Sequence, residues 1–498
     1  MKKTLLFLTI SFIYLLGAVS VSASSDNFYE AEYINNIYMV RYDRTTQTKY
    51  YQKARVYKRT SDGKLAYCLQ PFTKFNPNNN TYETVGSYPD INTETLKRIN
   101  DIVGFGYGYK NHTDLKWYAI TQLMIWQTVE PNNDFYFTDT LNGNRINPYD
   151  AEITEINNLI KESQILPSFS NQTFYGIVNK PINITDSNNT FINYSIIPVD
   201  NLSIEKTNNS LTVNGKKKGC YEMPYVRYFG NDGPVLFYYN PNSQHLATVG
   251  SPNNIESKVT FCFKELYLKI KKIDKDTGTI ESSGEASLKD TIFTLYNKDM
   301  EKIIDLTLDE NMETKISSND FDLNYGKYYL KETKVGTGYL PNDKIYEVNF
   351  TPDNTTIELT IENKVIEKEV TIKKLYGDGK LMITEPNITF EIYNKDGELI
   401  KSITTDQNGI AKIILPYGHY KIVQVNTTDG YTMIKPFTIF INDANKEYYY
   451  TINDYKIPEN KKEETISIEV PNTSTEEDNY HLLSLIFPSF LIVKKKFS

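Results

Sequence analysis

Between Leu266 and Ile457 the chain repeats itself loosely, and the length of the repeat restricts the fold more than any other feature. Asn324 to Tyr339 reads NYGKYYLKETKVGTGY and Pro416 to Tyr431 reads PYGHYKIVQVNTTDGY, with Tyr-Gly, Tyr and Gly-Tyr at the same offsets. Upstream, FTLYNKD at Phe293 matches FEIYNKD at Phe390. A period of roughly 95 residues is too long for a solenoid and suits a small β-sandwich. Short β-rich runs separated by Gly, Asn and Asp turns agree. The spacing predicts two modules, 265–366 and 367–457.

Strand alternation then exposes three misplaced residues. In LYLKIKKID, Leu266, Leu268 and Ile270 share a face, and Lys272 is next on it. Glu332 follows Tyr328 and Leu330 in the same way, and Asn363 follows Ile357, Leu359 and Ile361. Any one of these alone reads as a strand-end residue reaching for water. Together they are a reagent set. Burial disfavours charge, which moves a lysine toward the neutral amine and a glutamate toward the neutral acid. An amine can attack the Asn carboxamide while the acid polarises it and shuttles protons, leaving an isopeptide bond and ammonia.

The segments KKID, YYLKET, GTGY and IEN resemble the Cna-B-type domains of Gram-positive adhesins and pilins. That resemblance implies an autocatalytic cross-link with Lys272 as nucleophile, Glu332 as catalyst and Asn363 as acceptor. In the second module Val370, Ile372 and Lys374 repeat the first strand, and Tyr450, Ile452 and Asp454 repeat the last. The catalytic position there is Gln424, and an amide cannot shuttle a proton as a carboxyl does. Two readings stay open for Lys374 and Asp454: a second isopeptide bond, or a buried salt bridge.

The segment from Asn27 to Lys264 holds all three cysteines, Cys68, Cys220 and Cys262. At most two can pair, so an exported chain keeps one thiol to explain. Cys68 lies in LAYCLQPF, near a strand end. A second feature is DLKWYAITQLMIWQTVE, read as an uncapped apolar helix whose buried stripe is Leu115, Tyr118, Ala119, Gln122, Leu123, Trp126 and Val129. Gln122 sits mid-stripe. A core glutamine bonded to backbone is one reading. The other is a thiol acylated by that carboxamide, in an apolar surround that shields the thioester from water. Tyr67-Cys68 and Thr121-Gln122-Leu123-Met124-Ile125-Trp126 resemble the Tyr-Cys and Gln-x-x-hydrophobic-Trp motifs of Gram-positive thioester-domain adhesins. The resemblance implies a Cys68–Gln122 thioester that an amine on a host surface or matrix protein opens, leaving a covalent link to Gln122. It needs no cofactor.

The two ends read as export and anchoring. Residues 1–23 run from Lys2 and Lys3 through an apolar stretch to Val21-Ser22-Ala23, the order of a cleaved signal peptide. Residues 458–498 carry VPNTS, an acidic spacer, an apolar run from Leu482 to Val493 and Lys494 to Lys496. This resembles a sortase sorting signal, with Val470 in place of the usual Leu and Ser474 in place of the usual Gly. Cleavage between Thr473 and Ser474 would join the chain to peptidoglycan, outside the cell. The apolar run spans about 18 Å as a helix, short of the roughly 30 Å hydrocarbon core, and trailing lysines fit retention at the cytoplasmic face.

Composition sets the outer bounds. Lys+Arg number 54 against 62 Asp+Glu, a surface ill-suited to nucleic acid. Forty tyrosines against two tryptophans fit a β-rich chain. Neither HExxH nor CxxC occurs, which removes the usual metal-hydrolase signatures. The expected fold is therefore multidomain and mainly β: an N-terminal α+β thioester domain over 27–264, followed by two immunoglobulin-like Cna-B-type β-sandwiches. The expected function is a wall-anchored adhesin whose only chemistry is intramolecular cross-linking. Two rivals remain: a structural wall or pilus-like protein with an inert Cys68, and a secreted hydrolase pairing Cys68 with His112.

Overall fold

The structure is a computed structural model that describes residues 25–230 and 232–458. The signal-peptide segment and the sorting-signal residues Thr473 and Ser474 lie outside the described residues. The chain divides after Lys264 into two compact units.

The first unit contains two cores. One is a seven-stranded sheet packed with three helices, α1 (Thr93–Phe105), α2 (Leu115–Val129) and α3 (Asp150–Ser163). The strand Leu65–Cys68 is held antiparallel between Thr48–Arg59 and Leu246–Thr248, with Cys68 opposite Leu246. The chain leaves this core after α3, builds a separate β-sandwich, and returns to lay down Phe237–Tyr239 and Leu246–Thr248. The sandwich packs a four-stranded against a three-stranded sheet around Phe169, Phe191, Tyr225 and Phe261. Cys220 and Cys262 face each other on paired antiparallel strands and form a disulfide, which accounts for two of the three cysteines and leaves Cys68 as the free one.

Helix α2 departs from the sequence reading in two ways. It is capped: the Asp114 carboxylate accepts from the N–H groups of Lys116 and Trp117, satisfying donors that a helix start otherwise leaves open. It is also buried on all sides from Trp117 to Trp126, while Leu115 and Val129 are only partly covered. The stripe is therefore the whole helix, because sheet, α1 and α3 enclose it.

The second unit holds two sandwiches, of seven and eight strands. In the first, a three-stranded sheet (Glu313–Ser317, Tyr267–Asp274, Thr356–Asn363) faces a four-stranded one (Lys302–Thr307, Ile292–Tyr296, Gly326–Lys334, Ile345–Phe350). The second repeats the plan, and Met382–Thr384 adds a strand beside Glu367–Gly377. In both, the first and last strands are parallel neighbours, Tyr267–Asp274 with Thr356–Asn363 and Glu367–Gly377 with Tyr448–Tyr455. The sandwiches meet closely. Glu285 N–H donates to the Tyr417 carbonyl, and the Glu285 carboxylate takes the His419 backbone N–H and Nδ1, each at 2.9 Å. Gly284, at φ +64°, is needed there because a Cβ would lie 2.3 Å from the Tyr417 carbonyl oxygen. Among the described residues no helix is long and apolar enough to cross a membrane.

Candidate functional site

Cys68 ends its strand beneath α2, and Gln122 projects from the helix onto it. The Cys68 N–H donates to Gln122 Oε1 at 2.7 Å, and Gln122 Nε2 donates to the Cys68 carbonyl at 2.7 Å. Trp126, one turn on, donates its indole N–H to the same carbonyl at 2.9 Å. The carboxamide is thereby clamped at both ends against the residue that bears the thiol. Both side chains are buried, and Tyr67 stacks on Tyr118 beside them. Sγ donates to the Gln70 carbonyl at 3.0 Å. Burial pushes the Cys68 thiol up to about 12, against smaller opposing effects from Gln70 and Trp126. A thiol in that state is largely un-ionised at neutral pH and is a poor target for alkylation while the protein is folded.

His112, the histidine nearest Cys68 in sequence, is committed elsewhere. Its Nδ1 meets the Phe105 and Gly106 carbonyls at 3.0 Å, its Nε2 meets Glu155 at 3.2 Å, and its ring stacks on Trp117. The pairing that a cysteine hydrolase would need from it is absent from these contacts. His245 follows the backbone next to Leu69, with its ring stacked on Tyr88.

In the first sandwich the three polar residues converge. Lys272 Nζ donates to Glu332 Oε2 at 2.8 Å, and Asn363 Nδ2 donates to Glu332 Oε1 at 2.7 Å. Register explains the meeting: Lys272 lies opposite Ile361 on the parallel last strand, and Asn363 opposite Asp274, so lysine and asparagine are diagonal neighbours on the core face. Glu332 comes from the facing sheet. Lys272 is fully buried, with its Nζ 5.6 Å from the Phe293 ring centroid. Burial lowers its pKa and Glu332 pulls it back in part.

The second sandwich keeps this geometry and adds a group that alternation did not reveal. Lys374 Nζ contacts Asp454 Oδ1, and Gln424 Nε2 donates to Asp454 Oδ2 at 2.6 Å. Glu385, fully buried, places Oε2 3.4 Å from Lys374 Nζ. Its backbone N–H donates to the Lys374 carbonyl, extending the antiparallel pairing of Leu375 with Thr384 by one residue. Glu385 stands just before Pro386, beyond a three-residue strand, where no periodic pattern marks it. Among the described residues no cluster of metal-ligating side chains occurs.

Comparison with known proteins bears on this arrangement. Residues 65–164 match the thioester domain family model, and residues 267–365 and 368–456 each match the prealbumin-like fold domain model. The chain carries a thioester domain followed by two prealbumin-like β-sandwiches. Cys68 and Gln122 fall inside the thioester domain, and both lysine clusters fall inside the prealbumin-like domains. Among solved structures, the Bacillus anthracis TIE protein is 18% identical over 87% of this chain and 84% of its own, with a TM-score of 0.35. The thioester domain of the Staphylococcus aureus TIE protein is 20% identical over 48% of this chain and 99% of its own, with a TM-score of 0.38. GBS52, the minor pilin of Streptococcus agalactiae, is 18% identical over 40% and 99%, with a TM-score of 0.20. No curated protein matches the chain.

Proposed function

We propose that this protein is a surface adhesin that attaches covalently through a Cys68–Gln122 thioester. The observation that carries the reading is the two-ended clamp of the Gln122 carboxamide on the Cys68 backbone, inside a dry core. In the reaction Sγ bonds to the Gln122 carbonyl carbon, the C–N bond breaks, and the thiol proton leaves with the amide nitrogen as ammonia. The apolar surround protects the product from hydrolysis. A primary amine on a host-surface molecule then takes the acyl group, forming an amide with Gln122 and returning the Cys68 thiol. The Lys272–Asn363 isopeptide bond, made with Glu332 as proton shuttle, would brace the module that carries the domain outward. The signal peptide and the cleavage between Thr473 and Ser474 would supply export and attachment to peptidoglycan by sortase.

Intact mass tests the central claim. Freshly prepared protein should lack one ammonia mass that maps to the Cys68 and Gln122 peptides, and methylamine should add to Gln122 while freeing Cys68. Cys68→Ala should remove both effects and covalent capture of amines. Because folding alone silences the thiol, alkylation has to be read after denaturation. An unmodified Gln122 with a fully alkylated Cys68 under those conditions would leave the structural wall-protein reading in its place. Wall-released chains should end at Thr473.

A further inference from the structure

Lys374, Asp454 and Glu385 are all fully buried in the second sandwich. One ammonium cannot neutralise two carboxylates, and a net charge held away from solvent is costly. Lys374 Nζ, Glu385 Oε2 and Asp454 Oδ1 face one another without a well-directed hydrogen bond. The other oxygens are well held: Asp454 Oδ2 accepts from Gln424 at 2.6 Å and from the Thr427 hydroxyl at 2.8 Å, and Glu385 Oε1 accepts from the Thr428 N–H at 3.1 Å. The three atoms that meet in this ion-paired contact are therefore the ones that a condensation would use.

We propose that Glu385 is the catalytic acid of a Lys374–Asp454 isopeptide bond, in place of the carboxyl missing at Gln424. A proton passes from the Lys374 ammonium to Asp454, giving amine and acid. The amine attacks the Asp454 carboxyl carbon, and the charge that develops on Oδ2 falls where Gln424 and Thr427 already donate. Glu385 gives its proton to the departing Oδ1 hydroxyl and takes one from the nitrogen; the C–O bond breaks and water leaves. Glu385 is regenerated, and the ammonium and the carboxylate have both been replaced by one amide. Burial lowers the Lys374 pKa against the pull of Asp454 and Glu385, which favours the amine that the step requires. The polarising and proton-moving roles that Glu332 would combine in the first sandwich are thus divided here between Gln424 with Thr427 and Glu385.

The step uses the chemistry proposed for Lys272 and Asn363 but none of its residues, so the two are separable in a single digest of the mature chain. Wild type should yield a cross-linked peptide joining Lys374 to Asp454 and lacking one water mass, whatever the Lys272 peptides show. Glu385→Gln should return both peptides free, with the second sandwich still melting cooperatively. If that variant does not fold, Asp454→Asn is read in its place: it keeps Glu385 and should close with loss of ammonia in place of water. Free Lys374 in full yield from wild type, undiminished cross-linking in Glu385→Gln, or a full-mass Asp454→Asn chain would each overturn the proposal.

Discussion

The substitution Glu332→Gln isolates what the Lys272–Asn363 bond does for its domain. Gln fills the same space and can accept from Lys272 and donate to Asn363, but it cannot carry the proton the reaction moves. The bond would close a loop of roughly 90 residues, for which the chain-entropy relation used for cross-links gives about 4.5 kcal/mol. Unbonded, the variant also leaves the buried Lys272 without a carboxylate partner, which adds to that loss. For a domain of this size about 4.5 kcal/mol corresponds to a fall in Tm of roughly 20 to 35 °C. Differential scanning calorimetry on the mature chain should show one transition moving by at least that amount. Intact mass should show the variant at its sequence mass for this site, with wild type one ammonia lighter. A wild type at full mass, or a bonded wild type whose transition coincides with that of the variant, would refute the reasoning.

Two further outcomes follow from other parts of the molecule. Replacing Cys220 and Cys262 together by Ala should destabilise the inserted sandwich by about 4 kcal/mol from loop entropy, read as an earlier denaturant midpoint. The Cys68–Gln122 mass signature should be unchanged, because the disulfide belongs to the other core of the first unit. At the joint between the two sandwiches, burial opposes ionisation of Glu285, but its hydrogen bonds from His419 outweigh this and hold the carboxyl below its ordinary value. A lowered carboxyl stabilises the fold above the unfolded value of about 4.3 and ceases to do so as pH falls through the folded one. The stability difference between wild type and Glu285→Gln should therefore shrink as pH falls below about 4; a difference that grows in acid would contradict the assignment.

What could be read from the sequence follows the regularity of the backbone. Lys272, Glu332 and Asn363 lie on strands long enough for alternation to fix their face, and the structure brings them within hydrogen-bond reach. Cys68 and Gln122 were visible as an unpaired thiol and as a polar residue in an apolar helix. Asp114 stands immediately before α2, yet the apolar pattern alone reads the helix as uncapped, because the cap is a matter of side-chain geometry at one residue. Glu385 was not legible at all: its approach to Lys374 depends on a three-residue strand and its register. Nor could local pattern foresee that the partner strand of Cys68 would be Leu246–Thr248, which reaches it only after an entire inserted sandwich.

The parallel pairing of first and last strands fixes how each sandwich meets a load applied along the chain. In a parallel pair the polypeptide enters at one end of the two strands and leaves at the other, so drawing the ends apart slides the strands past each other lengthwise. Each pair has eight residues in register, Tyr267 to Asp274 against Thr356 to Asn363 and Val370 to Gly377 against Tyr448 to Tyr455. In shear these contacts resist together, whereas an antiparallel hairpin pulled at its open end would surrender them one after another. A slip of one residue would also turn every core side chain outward, so the smallest tolerable slide is two residues, about 6.6 Å. Lys272 and Lys374 each stand beside the last strand within that register. A side-chain bond from there to Asn363 or Asp454 would stop the slide before its first step.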